Sequence, residues 1–107
     1  MPVRRVVRRP PPAPTVAGMG RYVIERGLPG AGRLSEQELH DISATSNDVL
    51  SGMEDISWVE SYVTDDKLYC VYDAANAELI EEHGRRGEFP VDSVNEVRRT
   101  ISPATGA

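Results

Sequence analysis

The chain has 107 residues and a formal net charge of −5, which is enough for one small domain. Hydrophobic residues make up 39% of it, and no stretch approaches the ~20 apolar residues that a membrane-spanning helix needs. The single cysteine excludes an internal disulfide framework and favours a reducing, cytoplasmic compartment. Composition therefore indicates a cytoplasmic α+β domain and excludes an integral membrane protein.

Residues 1–18 differ from the rest of the chain in charge and in proline content. They hold five of the eight prolines, no acidic residue and four basic ones: Arg4, Arg5, Arg8 and Arg9. The remaining residues carry 8 basic and 17 acidic groups. This change predicts a disordered arm, 1–18, then a folded domain, 19–103, and a C-terminal tail, 104–107. Two other interpretations stay open for the arm: it contacts phosphate groups, or it is an upstream extension of the reading frame before Met19.

The first half of the domain predicts a strand, a loop and a helix. The strand is expected over 20–26, and the glycine-rich segment 27–33 is typical of a loop. Ser35 and Glu38 have the spacing of a capping box, which predicts that a helix begins there. Apolar residues then repeat at intervals of three and four up to Met53, so the helix has one apolar side.

Residues 56–74 carry the clearest strand pattern, because two β-branched and aromatic runs flank Asp65 and Asp66. A two-residue turn there predicts a hairpin with one face formed by Val59, Ser61, Val63, Leu68, Cys70, Tyr72 and Ala74. Its other face carries Trp58, Glu60, Tyr62, Thr64, Lys67, Tyr69, Val71 and Asp73. The first face is more apolar and is expected to meet the helices. The second mixes aromatic and charged side chains, which is typical of a surface that binds a partner.

Asn76 is expected to cap a second helix over 77–86, and the last strand is predicted over 95–101 with Val97 and Ile101 buried. The order of elements is then β-α-β-β-α-β. A four-stranded antiparallel sheet with two helices on one face satisfies this order with short connections. The sequence therefore predicts an α+β, ferredoxin-like fold.

His83 is the first candidate for chemistry, because its spacing from Leu79 points it toward the sheet. The hairpin register points Cys70 toward the helices from the other side. An imidazole and a thiolate suit nickel, copper or zinc, with Glu60 and Glu96 as the further ligands of such a metal site. The alternative is a hydrogen-bonded core histidine beside a small buried thiol.

Other functions have weaker support. An enzyme could use His83 as general base and Tyr62 as proton donor, although no nucleophile–base–acid set can be assembled, so the prediction leans against an enzyme. The loop 27–32 lacks the residues of a phosphate loop, and the acidic body disfavours nucleic acid.

A homodimer through Trp58, Tyr62 and Tyr69 is the expected assembly. A structural module that joins a larger assembly through the same face is the remaining alternative.

The body resembles a small family of ferredoxin-like proteins that is associated with a nickel-binding protein and includes many domains of unknown function. The resemblance covers roughly 19–103, on Trp58, Tyr62, Asp65, Asp66, Cys70, Glu82, His83, the segment 87–90, Glu96 and Val97. It implies a homodimer whose sheets face one another, with sites for nickel or another divalent transition metal in or near the cavity. This chain has Glu60 and Phe89 where the nickel-binding form has histidines, which reduces the nitrogen ligands that nickel favours.

Overall fold

The structure is a computed structural model that describes residues 17–107. The regular elements are β1 (Gly20–Gly27), α1 (Glu36–Ser51), β2 (Ile56–Val63), β3 (Lys67–Ala74), α2 (Ala77–Gly87) and β4 (Ser93–Glu96). Short 3-10 turns lie at Ala31–Arg33 and Pro103–Gly106. The predicted arm falls outside the described residues except for positions 17 and 18. Within 17–107, neither helix has the length and hydrophobicity that crossing a bilayer requires. The cytoplasmic location stays a prediction.

The strands form one antiparallel sheet in the order β2-β3-β1-β4. Both helices lie on the same side of it, because Ser46 of α1 and His83 of α2 both contact Tyr72 of β3. This arrangement confirms the predicted ferredoxin-like α+β fold. The other side of the sheet, which we call the open face, carries alternate residues of the same strands and, among residues 17–107, no helix.

The helix starts follow from local hydrogen bonds. Ser35 accepts a bond from the backbone N–H of Glu38, whose carboxylate accepts one from the Ser35 backbone, so the predicted capping box is confirmed. The Asn76 side chain accepts a bond from the backbone N–H of Leu79 and thereby caps α2.

The hairpin has the predicted turn but not a single register. From Val63–Leu68 to Glu60–Val71 the pairing follows the prediction, and a bulge at Val59 then shifts it by one residue. Trp58 therefore pairs with Tyr72 and lies on the helix side, where the centroids of the two rings are 6.5 Å apart. The prediction that Trp58 lies on the open face is wrong, because one extra residue in a strand exchanges the two faces beyond it.

The last strand is shorter and earlier than predicted. It begins at Ser93, pairs with β1 from Glu25 to Tyr22, and ends at Glu96. Strand β1 begins only at Gly20, so β4 runs out of partner before position 101. Ile101 is 80% exposed, and the prediction that it is buried is wrong.

The core lies between the helices and the sheet. Its buried apolar residues are Tyr22, Ile24, Ala31, Ile56, Leu68, Cys70, Tyr72, Ala74 and Ile80. In the described part of the chain, four polar residues are buried as well: Arg26, Ser46, Asp73 and His83. Buried polar groups need partners to offset the loss of water, so these four mark where chemistry is to be sought.

Candidate functional site

The side chain of His83 is fully buried between α2 and the sheet, which confirms that it points inward. Its Nε2 lies 3.1 Å from the hydroxyl oxygen of Ser46, and its Nδ1 has no hydrogen-bond partner among residues 17–107. Burial lowers the pKa of His83 to about 4, with a further contribution from the positive charge of Arg26. The imidazole is therefore neutral at physiological pH.

Tyr72 contacts three of the four buried polar residues, namely Ser46, His83 and Arg26. Its hydroxyl is 3.5 Å from the Ser46 oxygen, and its ring centroid is 5.1 Å from that of His83. Burial raises the pKa of the Tyr72 phenol, so it stays protonated. Ser46, His83 and Tyr72 thus form a neutral hydrogen-bonded group that joins both helices to the sheet.

Arg26 is the buried charge of this region and is only 2% exposed. Its Nη1 donates a hydrogen bond to the Pro90 carbonyl oxygen at 2.7 Å, and its guanidinium carbon lies 5.9 Å from the centroid of the Tyr72 ring and 5.6 Å from that of Phe89. Within 17–107 its Nη2 has no hydrogen-bond partner, and no carboxylate forms an ion pair with it.

The segment after α2 carries two of the contacts of Arg26, and Gly84 allows it to pack closely. A Cβ on Gly84 would lie 2.7 Å from Val91 Cγ2 and 3.2 Å from the Phe89 carbonyl oxygen, so only glycine fits. Glu88, with φ of 58°, ends α2 and turns the chain back toward the sheet.

A cavity of about 60 Å³ lies beside Arg26, between α1 and the β2–β3 hairpin. Its lining residues are Arg26, Leu39, Ile42, Ser43, Ser46, Trp58, Ser61, Val63, Leu68, Cys70, Tyr72 and Phe89. Val63 is 43% exposed, so the cavity reaches the surface at that end. No acidic residue lines it within the described part of the chain.

The four predicted metal ligands are not brought together. His83 and Cys70 both lie in the interior, whereas Glu60 is exposed on the open face, where it accepts a hydrogen bond from Tyr62. Glu96 ends β4 and pairs with Arg98 at 3.3 Å. Among residues 17–107, no three His, Cys, Asp or Glu side chains are grouped closely enough to hold a metal ion. These residues do not fit a nickel site within one subunit, and their role as ligands stays a prediction.

The catalytic pair of the enzyme hypothesis is separated in the same way. Tyr62 is 52% exposed on the open face, while His83 is buried on the helix side. The tyrosine beside His83 is Tyr72, and the prediction that Tyr72 faces the helices is confirmed.

Sequence reasoning missed Arg26, although a signal for it exists. Tyr22 and Ile24 are buried on the helix side, and strand alternation puts Arg26 on that same side. The charge of Arg26 argues against a buried position, because an arginine at the end of a strand is ordinarily assigned to solvent. Ser46 lies within the apolar stripe of α1, where a hydroxyl needs a buried partner.

Comparison with known proteins agrees with this fold. The family model described as "Nickel responsive protein SCO4226-like" matches residues 22–97. The chain is also similar to the crystal structure of SCO4226 from Streptomyces coelicolor A3(2), with a TM-score of 0.65, 18% sequence identity, and coverage of 76% of this chain and 99% of that one. No curated protein matches the chain. The family model covers most of the domain, and the chain therefore belongs to the family of SCO4226-like nickel responsive proteins.

Proposed function

We propose that this protein is a binding protein that takes a small ligand into the cavity between α1 and the β2–β3 hairpin. The cavity is the observation that carries the proposal, because protein interiors are close-packed and voids larger than a water molecule are few. A volume of about 60 Å³ holds roughly four to six water-sized groups, at about 10–15 Å³ each. The ligand is therefore a molecule of a few non-hydrogen atoms.

Binding has more support than catalysis. A general base works best when its pKa lies near the operating pH, and His83 has a pKa of about 4. The Ser46 hydroxyl is already hydrogen-bonded to His83 Nε2 and lies 3.5 Å from the Tyr72 hydroxyl. These groups hold the interior in place and activate no nucleophile.

Trp58 offers a direct test, since it is the only tryptophan of the chain and lines the cavity. We expect short-chain probes, butyramide and butyrate, to change its fluorescence in a saturable way. Ser43→Leu fills part of the cavity and should abolish the change, whereas Thr45→Leu, on the exposed side of α1, should leave it intact. If neither probe changes the fluorescence of the unaltered protein, the proposal fails.

The protein is also proposed to act as a homodimer joined through the open face. In support, Tyr62 is largely exposed there, with Tyr69 and Val71 half-buried beside it. Light scattering after size exclusion should give twice the subunit mass. Tyr62→Asp should give the monomer and Asn47→Asp, on α1, should not. A monomeric unaltered protein would contradict the dimer.

Binding of nickel or another divalent transition metal at His83 is a second candidate. The specific observation in its favour is a neutral imidazole whose buried Nδ1 has no partner among the described residues. Further donors would have to come from outside the described subunit. Calorimetric titration with nickel chloride tests it: His83→Gln should lose the heat of binding, and His40→Gln, on the exposed side of α1, should keep it. Equal heats for both variants would exclude His83 as a ligand.

A further inference from the structure

We propose that the ligand of this cavity is a small organic acid whose carboxylate pairs with Arg26. The inference rests on the proposed ligand-binding role of the cavity and adds the chemical class of the ligand. It is carried by two observations made at one place: a buried cation without a counter-ion among residues 17–107, and a cavity that this cation lines.

Arg26 carries a positive charge that is buried. Removing a guanidinium from water is costly, and proteins offset the cost with a carboxylate or with a full set of hydrogen bonds. Arg26 is 2% exposed, has no ion pair within 17–107, and keeps Nη2 without a partner. Its hydrogen bond to Pro90, its side-chain contact with the Tyr72 hydroxyl and the two aromatic rings compensate only part of this cost.

The Arg26 guanidinium is held in place before a ligand binds. Nη1 is bonded to the Pro90 carbonyl, and the rings of Tyr72 and Phe89 flank the group. A fixed, planar guanidinium with one nitrogen unused is well suited to a carboxylate. His83 is neutral, so it neither competes for an anion nor supplies the missing negative charge.

The rest of the lining indicates what carries the carboxylate. Leu39, Ile42 and Leu68 present apolar surface. The hydroxyls are already engaged: Ser43 donates to the Leu39 carbonyl, Ser46 lies against His83, and Ser61 accepts from the Trp58 indole N–H. Such walls favour an alkyl chain over a hydroxylated or purely inorganic anion. With the size of the cavity, this gives a short-chain monocarboxylic acid.

The unaltered protein provides the first test. Trp58 fluorescence is followed during titration with butyrate, its neutral analogue butyramide, and inorganic phosphate at neutral pH. We expect butyrate to bind about tenfold or more tightly than butyramide, since a charge-assisted bond to a buried group is lost in the amide. Phosphate should bind least. Equal affinities for butyrate and butyramide would overturn the carboxylate assignment while leaving the cavity as a ligand site. Phosphate binding as tightly as butyrate would overturn the organic acid. Absence of any binding would overturn both the assignment and the proposed function.

Variants supply the second test. Arg26→Met should bind butyrate and butyramide equally, and Arg26→Lys should bind butyrate more weakly than the unaltered protein does. Arg99→Met, which removes an exposed arginine, should behave as the unaltered protein. Preference for butyrate that persists in Arg26→Met would contradict the assignment. If the Arg26 variants do not fold, the comparison of the three probes on the unaltered protein decides.

Discussion

Strand β1 carries two arginines that lie on opposite sides of the sheet and meet opposite electrostatic environments. Arg21 forms two parallel bonds with Asp73, from Nε to Oδ1 at 2.7 Å and from Nη2 to Oδ2 at 2.9 Å. Arg26, on the helix side, has no carboxylate partner within 17–107 although it is the more buried of the two. The same residue type on one strand is thus internally neutralised on the open face and left uncompensated in the interior.

The difference separates a charge that is neutralised within the subunit from the charge that we propose binds a ligand. Proteins ordinarily pair a buried ion, as Asp73 does for Arg21, and that pair raises the pKa of Arg21 through the hydrogen bond. A buried ion that stays unpaired beside a cavity reduces stability unless a ligand binds it. Substitution of either arginine, or of Asp73, tests this difference.

The largest effect is expected from Asp73→Ala, which would remove the carboxylate that pairs with Arg21. Both side chains of the pair are largely buried, and breaking such a pair by removing one member typically costs about 3 kcal/mol of unfolding free energy. Urea denaturation measures this loss. The double variant Arg21→Met/Asp73→Ala should recover a large part of it, because no uncompensated charge remains. A loss below about 1 kcal/mol would show that Arg21 finds other compensation.

A similar loss is expected on acidification, through His83. Its pKa is lowered from 6.5 to about 4. Between these two pH values the histidine is protonated in the unfolded chain and neutral in the folded one. Stability is therefore fully present above about pH 6.5 and falls by about 3 kcal/mol as the pH drops to about 4. Urea unfolding over this range should show a flatter profile for His83→Gln, whereas His40→Gln should follow the unaltered protein. Parallel profiles for all three would contradict the low pKa.

Arg26→Met should change stability much less than Asp73→Ala does. Removing an uncompensated buried cation offsets the loss of its contacts with Phe89 and Tyr72, so we expect a net change within about 1 kcal/mol. The positive charge of Arg26 also lowers the pKa of His83, so the variant should titrate His83 at a higher pH. Proton NMR of the two histidines measures both values, with His40 as the internal reference. An unchanged pKa for His83 would show that burial alone sets it.

Much of this fold could be predicted because its signals are local. The turn at Asp65 and Asp66, the capping box at Ser35 and the inward orientation of His83 all depend on residues a few positions apart. The bulge at Val59 could not be predicted, since strand alternation reads the same with or without one extra residue. Because of this bulge, Trp58 lines the cavity, whereas the uninterrupted register predicts it on the open face.

The candidate site was less predictable because its contacts are distant in sequence. The bond from Arg26 to the Pro90 carbonyl joins residues 64 positions apart, and the close packing at Gly84 that supports it gives no signal in the sequence pattern. Within residues 17–107, the lack of a carboxylate for Arg26 is likewise a property of the assembled interior. Alternation along β1 gives the face of Arg26, but only tertiary structure shows which charges are paired.

The smallest effect is expected at the second ion pair of the open face, Lys67 with Glu25. Hydrogen bonding to Lys67 lowers the pKa of Glu25, yet both side chains remain partly exposed to water and salt. In the dilute, monomeric chain, Lys67→Gln should therefore leave the melting temperature unchanged within error at physiological salt, because exposed pairs contribute little. Differential scanning calorimetry at several protein concentrations makes the measurement. A drop of several degrees that grows with protein concentration would show that the pair is covered in an assembled form, and that the open face holds a second buried ion pair beside that of Arg21.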